Sequence, residues 1–153
     1  MTPMAAPDPK GGAKLRLRCW LAMLKATKRV ENDIRDRLRR EFDTTLPRFD
    51  VMAMLYKNAA GLKMSQLSSE MMVSAGNVTG IIDRLVADGL VMRVSIKGDR
   101  RATLVRLTPK GEADFTSMAA IHEGWVAEIF ATLDERDLDH AIRIFKQVRE
   151  SRT

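Results

Sequence analysis

Apolar residues recur at helical spacing along the first third of the chain: Leu17, Leu21, Leu24, Ile34, Leu38 and Phe42. No Pro or Gly interrupts residues 14–42, and the pattern predicts one long helix. At 1.5 Å per residue it would be about 40 Å long, more than a small domain needs. Such a helix packs on something else, most simply a second subunit. Pro47 suits the first turn of a second helix, capped by Thr44 or Thr45. Phe49, Met52, Leu55 and Tyr56 give its apolar face, and it ends near Asn58, before Ala59-Ala60-Gly61.

Two shorter helices follow. Ser65 is expected to cap the first, with Leu67, Met71 and Met72 inward. The second starts near Ser74 or Ala75, buries Val78, Ile81, Ile82 and Leu85, and is closed by Gly89. A tight connection around Val73–Gly76 separates them, which reads as a helix-turn-helix. Two alternating runs, Leu90–Ile96 and Ala102–Thr108, predict strands joined through Lys97-Gly98-Asp99-Arg100-Arg101. Thr108 then caps a helix with Pro109 at its first position and Glu112 three residues on; it should run to about Leu133. Asp134 caps a last helix reaching towards Arg149, with Leu138, Ile142 and Phe145 inward.

The fold class implied is mainly α with a small β wing: a winged helix-turn-helix plus terminal dimerisation helices. The two helical ends have too much apolar surface for a lone monomer, so they are expected to interleave between two chains. The expected divisions are a disordered arm at 1–13, a dimerisation helix at 14–46, a DNA-binding lobe at 47–108 and C-terminal dimerisation helices at 109–153.

Composition sharpens this picture. The chain has 153 residues, a net charge of +6 and a pI near 9.8. A basic balance favours nucleic acid, anionic ligands or an acidic membrane surface. Residues 14–42 carry ten Lys/Arg against four Asp/Glu, while residues 109–153 carry six against nine. The basic excess therefore avoids the C-terminal third. Ten Met and few aromatics imply an adaptable aliphatic core. A single cysteine, Cys19, excludes a disulfide framework within the chain and suits a reducing cytosol. No apolar run approaches a membrane span, and residues 1–12 show no signal peptide. A cytoplasmic protein with no membrane partner is expected.

The candidate chemistry is recognition of double-stranded DNA. A helix-turn-helix lays its second helix in the major groove. On the helix from Ser74, the face opposite the buried stripe presents Asn77, Thr79, Gly80 and Asp83. Asn can bond adenine in a paired manner, and Thr offers a hydroxyl and a methyl. Gly80 in mid-helix costs about 1 kcal/mol relative to Ala, which a close approach to DNA or to a neighbouring helix would rationalise. Arg84 either reaches a phosphate or pairs with Asp83 or Asp88. Ser65 and Gln66, at the start of the preceding helix, suit phosphate contacts. Lys97, Arg100 and Arg101 project from the hairpin, where Arg fits a narrow minor groove. Asp99 is read as a brace that fixes an arginine two residues on.

The run GNVTGIIDRLVADGLVMRVSIKGDRRATLVRLTPKG resembles the winged helix-turn-helix of MarR-type transcriptional regulators. The DRR at 99–101 and Leu107-Thr108-Pro109-Lys110-Gly111 are its most specific parts, and the likeness extends over about residues 14–150. It implies a homodimer that binds a pseudo-palindromic operator, usually as a repressor, and lets go when a small ligand binds. Asp99 maps to the Asp and Arg101 to the minor-groove Arg of the family's Asp-x-Arg motif. The resemblance also implies an effector between the dimerisation helices and the DNA-binding lobe. The candidates there are Trp20, Phe49, Met52 and Tyr56, with Arg16 or Arg48 for an anion. TTLPRFDVMAML at 44–55 is similar to members that control aromatic-acid catabolism, some of which sense the acyl-CoA thioester. An aromatic acid or its CoA thioester is the implied effector. Some relatives sense peroxide through a cysteine on the first helix, which makes Cys19 the basis of a rival reading.

No catalytic constellation is present in the sequence. His122 and His140 lie in no metal-ligand spacing, and there is neither a Gly-rich phosphate loop nor a nucleophile elbow. The chain is expected to be no enzyme, with no cofactor and no metal. A non-specific nucleoid protein is the remaining alternative; it would bind with a steep salt slope and little sequence preference.

Overall fold

A computed structural model describes residues 11–71 and 75–151, without the side chains of residues 75, 76 and 99–102. The arm up to residue 10, the predicted inward Met72 and the predicted contact Ser74 lie outside the described residues. So do the side chains of Asp99, Arg100 and Arg101.

The elements follow the periodicity closely. Helix α1 spans Ala13–Phe42, α2 Leu46–Lys57, α3 Met64–Glu70, α4 Ala75–Ala87, α5 Pro109–Ile129 and α6 Glu135–Glu150. Strands β1 (Leu62–Lys63), β2 (Val91–Ile96) and β3 (Asp99–Leu107) form an antiparallel sheet in the order β1-β3-β2. Three caps are written in the sequence. Thr45 Oγ1 accepts from the Arg48 amide, Thr108 Oγ1 from that of Gly111 and Asp134 Oδ1 from that of Asp137.

The core sits around α2. Phe49, Val51, Met52 and Leu55 are all buried, and they meet Ile34 and Leu38 of α1, Val78, Ile82 and Leu85 of α4, and Phe115 and Trp125 of α5. Ring contacts bind α2 to α5: Phe49 and Tyr56 stand 5.4 and 5.0 Å from Phe115, and Phe49 stands 4.5 Å from the His122 ring. Arg37 of α1 also reaches Glu128 of α5 at 2.8 Å.

Several expectations need correction. Strand β1 was not foreseen; its two residues pair Leu62 with Val105 and Lys63 with Leu104. Ser65 does not cap α3. The cap is Lys63, whose amide donates to Gln66 Oε1 at 2.9 Å. The hairpin connection is shorter than expected. Lys97-Gly98 turns the chain, with Gly98 at φ +93°, and Asp99–Arg101 already belong to β3. An irregularity between Ser95 and Ile96 takes up the offset. Helix α5 stops at Ile129: the Phe130 amide still bonds four residues back to Val126, but beyond it Ala131 bonds to Glu128 and Leu133 to Phe130, three residues back, and tighten the chain into a reversal.

The terminal helices show the unpaired apolar surface that their pattern predicts. Ile142, Phe145 and Val148 of α6 are 63%, 53% and 59% exposed, and Leu15, Leu17, Trp20, Leu21 and Leu24 of α1 are also exposed. The predicted inward residues Ile142 and Phe145 therefore do not point into the core of their own chain. Among the described residues α6 buries none.

Candidate nucleic-acid interface and an adjoining cavity

Helix α4 is buried on one face and exposed to solvent on the other. Val78, Ile82 and Leu85 are fully buried, and α2 and α3 pack against it. Asn77, Thr79, Gly80, Asp83 and Arg84 are exposed on the other side. Among the described residues a Cβ built on Gly80 would meet nothing within 4 Å, so no described neighbouring helix requires this glycine. Ser65 and Gln66 are exposed at the start of α3, with Gln66 Oε1 already engaged in the cap. Lys97 is exposed at the wing turn.

The acids near Arg84 have other partners. Asp83 pairs with Arg93 of β2, which ties α4 to the wing. Asp88, just beyond α4, pairs with Arg48 of α2 at 2.9 Å. Arg84 instead lines a cavity of about 560 Å³ between the end of α1, the start of α2 and α4. Four arginines face it, Arg35, Arg39, Arg48 and Arg84, against one acid, Asp36. Its α4 wall is Asn77, Gly80, Ile81 and Arg84, residues at helical spacing on one face. The cavity thus shares Asn77 and Arg84 with the exposed polar face of the helix. A net positive wall next to a polar amide suits an organic anion.

The residues expected around an effector are not gathered in one place. Arg48 lines this cavity. Phe49 and Met52 are core residues, 5% and 2% exposed. Tyr56 is exposed and leans on Phe115, and Arg16 and Trp20 are exposed on the first turns of α1. Sequence reasoning passed over Arg35 and Arg39. Their i, i+4 spacing inside the basic stretch of α1 was the available signal. Cys19 is exposed on the same part of α1 as Trp20.

The described residues hold no group of three side chains fit to bind a metal ion, and no helix among them is long and apolar enough to cross a membrane. His122 is half-buried between Phe49 and Trp125, and burial lowers its pKa. Asp50 is pushed up to about 6, chiefly by burial of its carboxyl and further by Glu31.

The family model described as MarR family matches residues 44–103, the stretch from the α2 cap into β3. A MarR family transcriptional regulator from Silicibacter pomeroyi has the same fold, with a TM-score of 0.76 at 30% identity over 90% of this chain and 94% of that one. The chain belongs to the MarR family. The uncharacterized HTH-type transcriptional regulator YkoM of Bacillus subtilis (strain 168) is 31% identical over 117 residues, 76% of this chain and 74% of that protein. A variant of Escherichia coli MarR, solved in complex with operator DNA, matches with a TM-score of 0.73 over 90% of this chain and 96% of that one. At 23% identity that is a likeness of fold. These MarR-family relatives are transcriptional regulators and not enzymes, in keeping with the lack of a catalytic constellation in the sequence.

Proposed function

We propose that this MarR-family protein is a cytoplasmic, homodimeric, ligand-released repressor of genes for aromatic-compound catabolism. Each protomer sets α4 in the major groove of one half of a pseudo-palindromic operator. Asn77 and Thr79 read base edges, and Ser65 and Gln66 touch the backbone. Arg101 enters the adjacent minor groove, steadied by Asp99, with Lys97 and Arg100 beside it. The observation that carries this reading is the exposed polar face of α4 beside a basic hairpin, on a helix whose opposite face is fully buried. The complex of Escherichia coli MarR with operator DNA, on the same fold, supports it. Residues 14–46 and 109–153 form the dimer, since the exposed apolar faces of α1 and α6 need a second copy to cover them.

The effector is an aromatic acid or its CoA thioester, and its anionic group sits in the arginine-lined cavity. Two measurements test the proposal. Fluorescence anisotropy with DNA from upstream of the gene should show tight binding at a salt concentration where random DNA of equal length does not bind. Isothermal titration with benzoate, hydroxybenzoates and their CoA thioesters should give heat, with a matching loss of operator affinity. Equal affinity for both DNAs would make the protein a non-specific nucleoid component.

A further inference from the structure

Asp88 is where three elements meet. Its amide closes the last turn of α4 on the Arg84 carbonyl at 2.9 Å. Its own carbonyl accepts from Lys110 Nζ of α5 at 3.2 Å. Its carboxylate accepts from Arg48 Nη2 of α2 at 2.9 Å. The neighbouring Gly89 takes φ +75° and ends the helix. The Arg48 side chain is thus one of the contacts that fix the end of the DNA-reading helix, and it also lines the cavity. About half of the Asp88 side chain remains open to solvent, so the pair is screened and weak enough to exchange.

An anion in the cavity and Asp88 want the same guanidinium. Arg35, Arg39 and Arg84 attract a carboxylate into the space, and Arg48 is the one cavity arginine in a described ion pair. We infer that the Arg48–Asp88 pair is a latch: a carboxylate ligand in the cavity draws Arg48 away from Asp88, and the end of α4 loses its tie to α2. This rests on the effector reading given above and adds how the signal leaves the cavity. Linkage fixes the signs. If the ligand must break the pair to bind, removing the Asp88 charge strengthens ligand binding and weakens the effect of the ligand on DNA.

The test has two arms. Without ligand, operator affinity is measured by anisotropy for wild type, Arg48→Gln, Asp88→Asn and the double variant. The latch predicts a loss of about three-fold for each single change and no further loss in the double, as expected of one half-exposed pair. Additive losses overturn the latch and leave the effector reading intact. With benzoate and benzoyl-CoA as probes, Asp88→Asn should bind the active probe several-fold more tightly than wild type by calorimetry. Its operator affinity should fall several-fold less on addition of that probe. Unchanged affinity with unchanged release also overturns the latch. If wild type binds neither probe while the ligand-free cycle shows coupling, the effector reading fails and the pair is a fixed brace of α4, which again overturns a ligand-driven latch.

Discussion

Gly111 lies against the Leu90 backbone so closely that a Cβ there would stand 1.9 Å from the Leu90 carbonyl oxygen. The contact fixes the first turn of α5 on the segment that links α4 to β2. The same junction is bonded twice more: Thr108 Oγ1 donates to the Gly89 carbonyl at 2.6 Å, and the Thr108 amide to that of Leu90 at 3.0 Å. Gly111→Ala must push backbone aside rather than a flexible side chain. It should destabilise the protein by about 3 kcal/mol, at the upper end of over-packing penalties. Chemical denaturation checks this, and a midpoint within error of wild type would mean that α5 can shift freely.

Gly80 gives the opposite expectation. It lies in the middle of α4 with open space around it. Gly80→Ala should stabilise the fold by about 0.5–1 kcal/mol through helix propensity. The added methyl also faces the proposed groove contact and the cavity, so operator affinity should drop while the melting temperature rises. Higher stability with unchanged operator affinity would remove Gly80 from the interface.

The stripe of Val78, Ile82 and Leu85 was legible in the sequence because a helix with one buried face repeats every three to four residues. The terminal helices were legible for the same reason. Their apolar faces have no cover among the described residues of the single chain, so a residue such as Phe145 reads as inward until its neighbours are known. Strand β1 was illegible, since two residues carry no period. The five-residue connection expected at the wing was too long, because a left-handed Gly98 and an offset in register leave no periodic trace. Phe49 and Met52 have the same spacing whether they line a ligand or fill a core, and the fold puts them in the core. The cavity was the least legible part. Arg35 and Arg39 share the cavity with Arg48 through the turn between α1 and α2 and with Arg84 through the packing of α4 on α2, and no spacing along the chain encodes that meeting.

Arg101 and Asn77 should fail in different ways. Arg101→Ala is expected to weaken binding to all operator variants alike and to lower the slope of log affinity against log salt by about one unit. Asn77→Ala is expected to leave that slope unchanged and to relax preference at one base pair, by about 1–3 kcal/mol if the contact is bidentate. Competition anisotropy over single-base operator variants at several salt concentrations separates the two. Identical profiles for both variants would contradict the assignment of one group to each groove.

The exposed faces of α1 and α6 predict an obligate pairing. Ile142→Asp combined with Phe145→Asp puts charges on the exposed apolar face that is proposed to be desolvated between two copies. Sedimentation should show a monomer where wild type is a dimer, and operator affinity should fall by well over ten-fold, since one half-site alone is held. A dimer that persists with wild-type affinity would place the contact elsewhere.

Asp50 carries a pH signature. Its carboxyl is raised from 3.8 to about 6, chiefly by burial and further by the negative charge of Glu31. Much of the residue is nevertheless open in the single chain, so the effect on stability is modest and its direction is what counts. Between about pH 4 and pH 6 the folded state holds a proton here that the unfolded chain has released. Stability contributed by this group therefore declines as pH rises through that window, and the full penalty stands above pH 6. Asparagine resembles the neutral acid and cannot ionise. Asp50→Asn should match wild type near pH 4 and melt at a higher temperature at pH 7.5, with the difference opening across the window. Denaturation midpoints followed from pH 4 to 7.5 check it. A constant offset between the two proteins at every pH would show that the carboxyl titrates normally and that its position against Glu31 carries no charge penalty.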